Sequence, residues 1–165
     1  MKLASAISMV VAIPICLCAA MPAAAQPARS ADQLVVLLKQ ALESNNAAMI
    51  EQLVHPGTEP ASIRNVKAFA ENIGKNRPQI RVYALAADDK EALEREKAAY
   101  RHGAHTPLEV RLRAAAERGF KPTLPPLGDI VIFVGSAPDP SRGMQMIYMY
   151  GQSEGEYFLV FNRRD

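Results

Sequence analysis

The chain has 165 residues, 49% of them apolar, and a formal net charge of +2. That length suits one domain of ordinary size. Lys2 is the only charged residue among the first 25, so 18 of the 19 basic residues and all 17 acidic ones lie beyond it. A balance this even argues against a nucleic-acid binder, which needs a basic stripe to displace counterions, and it gives no strong pull toward anionic lipid.

Residues 1–25 read as an export signal. Lys2 supplies the positive start, an uncharged apolar stretch runs over residues 3–20, and Pro22 breaks it. Ala23, Ala24 and Ala25 then offer small residues to a signal peptidase, which predicts cleavage before Gln26. A run of this length could also serve as an uncleaved anchor helix; Pro14 within it and the small-residue exit favour cleavage. The expectation is a periplasmic or secreted protein with a single domain over residues 26–165 and no membrane span after cleavage. Cys16 and Cys18 both fall inside the signal, and Ile15 and Leu17 stand where a lipoprotein signal carries a small residue. The domain itself then has no disulfide, thiolate metal site or thiol nucleophile. Core burial must hold it together.

In chain order, Ser30 with Gln33 three residues on forms a capping box. Leu34, Leu37, Leu38, Ala41 and Leu42 fall on one face of the helix that follows. Asn45 and Asn46 end it, and Asn46 caps a short second helix that Pro56-Gly57 stops. A third helix starts near Pro60, with Ile63, Val66, Phe69, Ala70 and Ile73 at helical spacing and Gly74 as its expected terminator. Residues 79–84 alternate as a half-buried strand. Residues 88–101 predict a charged, solvated helix. Thr106, Pro107 and Glu109 then open another helix with a cap, a first-turn proline and a capping-box acid, closed by Gly119. The two form a helical hairpin over residues 88–119. Residues 121–128 read as a proline-rich connector and residues 138–143 as a turn. Three strands close the chain, at 129–134, 145–150 and 156–161, the first continuously apolar and so central. The order predicts an α+β fold: N-terminal helices packed on a curved antiparallel sheet, with an inserted helical hairpin.

This order resembles the cone-shaped fold named after nuclear transport factor two. The likeness covers residues 30–162. It is carried by the first helix running through Asn46 into a second that ends Leu53-Val54-His55-Pro56, and by the closing strand pair with Gly155-Glu156-Tyr157-Phe158. The resemblance implies a sheet wrapped around helices with room for a pocket in the cone. The hairpin at 88–119 departs from the family pattern as an insertion. The polar dyad that the family's enzymes carry has no counterpart in this sequence, so the resemblance transfers no catalytic residue.

Three groups of residues are candidates for chemistry. His102, His105 and Glu109 could ligate zinc or copper, and the thioethers of Met144 and Met146 suit Cu(I). Helix-end histidines and core methionines also account for these residues without a metal. Tyr148 and Tyr150 share one strand face, and with Phe158 on the neighbouring strand they could line a ligand pocket between the sheet and the first three helices. They could equally be core. No nucleophile elbow, phosphate loop or H-E-x-x-H motif is present, and no cofactor is implied. The leading expectation is therefore a non-enzymatic binding or interaction module for a partner protein or a small apolar ligand, with the charged hairpin facing the partner. The alternatives are a pocket-bearing enzyme or ligand carrier of the cone-shaped fold, and a periplasmic copper or zinc carrier using methionine and histidine.

Overall fold

The computed structural model describes residues 27–76, 79–92, 94, 106–136 and 139–164. The expected export signal, His102 and His105 lie outside these residues, as does most of the first helix of the predicted hairpin.

Ser30 caps α1 (Ala31–Glu43) by accepting the Gln33 amide at 3.1 Å. Gln33 reaches back to the Arg29 amide at 2.8 Å. The helix ends in a Schellman motif with Asn45 at a φ of 51°: the Asn46 amide donates to the Ala41 carbonyl and the Asn45 amide to that of Leu42. Asn46 then caps α2 (Ala47–Gln52) through the Met49 amide, as its position predicted. The third helix, α3 (Pro60–Asn76), runs past Gly74, which does not terminate it. The fourth, α4 (Leu108–Ala116), differs from expectation at its start. Pro107 is its N-cap and no side chain caps it, because a proline ring has no acceptor to offer the first-turn amides; the Pro107 carbonyl accepts from Val110 and Arg111.

The fold is α+β. Strands β1 (Gln79–Ala86), β3 (Pro126–Ser136), β4 (Asp139–Ser153) and β5 (Glu156–Val160) form an antiparallel sheet in the order β1-β3-β4-β5. The continuously apolar β3 is central, with Ile130, Val131, Ile132 and Phe133 all buried. Two short strands went unforeseen: β2 (Phe120–Pro122) pairs with β6 (Asn162–Arg164), so part of the proline-rich connector is a ladder. The predicted turn at residues 138–143 is also corrected from 139 onward, where β4 has already begun. Between β4 and β5 the loop is only Glu154-Gly155, with φ of 52° and 79°. Positive φ at both positions is the mark of a type I′ hairpin, whose twist matches that of the strands. Gly128 is fixed by crowding instead: a Cβ there would lie 2.1 Å from the Leu85 carbonyl oxygen and 2.7 Å from the Tyr150 ring.

Alternation divides the buried residues between the two sheet faces. Ile80, Ile130, Ile132, Tyr150 and Leu159 meet Leu34, Leu38, Leu42, Val66 and Phe69 of the helices in the main core. On the opposite face Met149 and Val160 pack against Leu108, with Leu112 and Leu124 beside them. The α4 half of the predicted hairpin is thus part of the packed body rather than a detached, solvated arm. The outer edge of β5 is covered by single bridges, Ala28 to Tyr157 and Val54 to Leu159, which shields an edge that could otherwise pair with another chain. Among the described residues no helix is long and apolar enough to cross a membrane.

Candidate functional site

Leu108, Arg111, Leu112, Ala115 and Arg118 recur three or four residues apart, so they form one stripe running down α4 and its last turn. The apolar members seat the helix on the sheet. Arg111 does a second job there. Its Nη2 donates to Oδ1 of Asp129, whose side chain is 2% exposed, and its Nε donates to the Thr106 carbonyl at 3.1 Å. Asp129 stands in β3 directly between Leu85 of β1 and Met149 of β4. A carboxylate held among such neighbours requires a counterion, since an unpaired buried charge costs several kcal/mol.

Arg118 occupies the same stripe two turns on. Its Nε donates to the Ala114 carbonyl at 2.8 Å, and it forms no ion pair with a carboxylate among the described residues. Between the helix and the sheet lies an open cleft of about 310 Å³. Val110, Leu112 and Met149 give it apolar walls, and Arg111, Arg118 and Asn162 bring polar groups to it. Val110 is 51% exposed.

The tyrosine face is arranged differently. Tyr148 packs edge-on to Phe69, centroids 6.5 Å apart, and tilts against Phe161 at 5.6 Å. Tyr150 stacks on Tyr157 at 6.4 Å. Burial pushes the Tyr148 phenol up to about 12. Burial also raises Tyr150, helped by Tyr157 and by the carboxylates of Asp88, Asp129 and Asp32. These two tyrosines are brought together on the helix-facing side of the sheet. Phe158 is not with them: it pairs with Gly151 in the register, one step out of phase with Tyr150 and Leu159, and its ring meets His55 edge-on at 5.6 Å. The His55 Nδ1 accepts the Gly57 amide at 3.1 Å, and burial together with the nearby Arg163 charge lowers its pKa.

Of the possible metal ligands, Glu109 is exposed in the first turn of α4, on one side of the sheet. Met146 is packed in the helix-facing core on the other. The structure does not bring these two together. Met144 lies opposite Val134 in β4, and its side chain is outside the described residues. No group of three His, Cys, Asp or Glu that could hold a metal occurs among the described residues.

The cleft residues Val110, Arg111, Arg118 and Asn162 escaped the sequence reading. A signal was available: two arginines sit on the helix stripe that otherwise faces inward, and Asp129 abuts the all-apolar run of β3. Buried charge in two places predicts that the places meet. No family model, curated protein or solved structure matches the chain.

Proposed function

We propose that this chain is an exported, non-enzymatic binding module that holds a small ligand with an apolar body in the cleft beneath α4. The observation that carries the reading is the contrast between the two sheet faces. On the helix-facing side the tyrosines are engaged with Phe69, Phe161 and Tyr157. On the other, a cleft lined by both apolar and polar side chains stands open, a mixed lining of the kind small-molecule sites have. A phenol pushed up to about 12 is also poorly suited to proton transfer near neutrality. Kinship with the cone-shaped fold of nuclear transport factor two is part of the proposal. It is supported by α1 and α3 lying on one face of an antiparallel sheet, and the ligand would then lie on the side of the sheet away from those helices.

Amide shift mapping of the protein with octan-1-ol, a neutral apolar probe, tests the site. Perturbations are expected at residues 106–118 and at Met149 and Asn162. Shifts confined to the Tyr148 and Tyr150 face would move the site there and refute the assignment. Export has its own test: on bacterial expression, the exported fraction should contain a chain beginning at Gln26, and a full-length cytoplasmic product would contradict it.

A further inference from the structure

We infer that the ligand of the α4 cleft is a monoanion with an aliphatic body, a medium-chain carboxylate, whose charge is met by Arg118; this rests on the cleft being the binding site. Two guanidinium groups line the cleft, and they are not equivalent. Arg111 is paired with the buried Asp129, so that pair presents no net charge to a ligand. Arg118 is exposed, lines the same cleft and has only a backbone carbonyl as partner among the described residues. One cation is therefore open, which matches one negative charge better than the two of a phosphate monoester. A guanidinium binds carboxylate through paired N–H donors in a planar fork, and the Asn162 amide in the same cleft can add a further donor. Beside these polar groups Val110, Leu112 and Met149 offer apolar surface.

Size narrows the class. A volume of about 310 Å³ is at the lower end for ligand cavities, so the alkyl part is no more than medium length. Charge complementarity and the apolar wall together argue for an amphiphile with its head at Arg118 and its chain along Met149. The bound chain would also cover part of the half-exposed Val110.

The test compares octanoate, octan-1-ol and octylammonium on the same protein, read by amide shifts and calorimetry. Octanoate should bind at the cleft at least about tenfold more tightly than octan-1-ol, the worth of one charge-assisted hydrogen bond, and octylammonium more weakly still. Arg118→Gln, a change at an exposed side chain, should reduce octanoate affinity by about the same factor and leave octan-1-ol unaffected. Ala114→Leu, which fills the cleft from a helical position, should weaken both. If octan-1-ol or octylammonium binds as well as octanoate, or Arg118→Gln changes nothing, the carboxylate assignment is overturned while the cleft stands as a site. If none of the three probes perturbs the cleft residues, both the ligand class and the proposed site are refuted.

Discussion

His55 shows how a single side chain can carry a pH dependence into the fold. Its Nδ1 accepts the Gly57 amide, a bond that only the unprotonated nitrogen can make. Burial and the Arg163 charge both disfavour the imidazolium, so the folded state holds its proton less tightly than the ordinary value of 6.5. Below that pH the unfolded chain binds more protons than the folded one, and stability must fall with acidity. The loss begins as pH drops through about 6.5 and ends below the depressed folded value; above 6.5 both states are neutral and the term is flat. Urea midpoints measured from pH 8 down to 5 should decline in that window, and His55→Gln should flatten this part of the profile. An unchanged slope in the variant would show that the dependence arises from other groups.

At the scale of elements, one ion pair ties α4 to the central strand beside its apolar contacts. Arg111→Leu would leave the Asp129 carboxyl, 2% exposed, without the Arg111 guanidinium. Breaking a buried pair from one side costs about 3–5 kcal/mol, and since part of Arg111 reaches water the lower end, about 3, is expected. Adding Asp129→Leu should restore most of that loss, because a hydrophobic replacement of both partners is often close to neutral. A double variant no more stable than Arg111→Leu would mean that Asp129 is held by other contacts. The same pair marks where the sequence stops being legible. Helices α1 and α2 can be read residue by residue because their signals are local: Ser30 with Gln33, then Asn45 and Asn46, each act within one turn. The central strand is legible from its unbroken apolar run. By contrast β2 and β6 are three residues long, and Pro122, Arg163 and Arg164 carry no alternation to betray them. Arg111 and Asp129 lie 18 residues apart in different elements, so each looks like an ordinary surface charge until the register sets them together. For the same reason Phe158 looks from the sequence like a partner of Tyr148 and Tyr150: the strand pair is legible there, but its register, which decides the face, is not.

On the scale of the whole molecule, one sheet serves two cores of unequal size. The helix-facing core draws on α1, α2, α3 and all four strands of the sheet. The other, under α4, rests on Leu108, Met149 and Val160 with Leu112 and Leu124 at its margin. Apolar burial is roughly proportional to area removed from water, so α4 is held by far less of it than α1. The Arg111–Asp129 pair adds to that hold. Local opening free energies in a protein range from near zero up to the global value, and poorly buried elements lie at the low end. Native-state hydrogen exchange should therefore find the α4 amides opening before those of α1 and β3, with exchange at least about tenfold faster than in those elements. Arg111→Leu should quicken exchange in α4 well beyond its effect on β3, since the pair contributes to docking the helix more than to pairing the strands. Saturating octanoate should slow it, because a ligand seated between helix and sheet stabilises only the closed form. Equal protection in α4 and β3 would show instead that the two cores open as one unit, and the cleft would then be a fixed groove in a rigid wall.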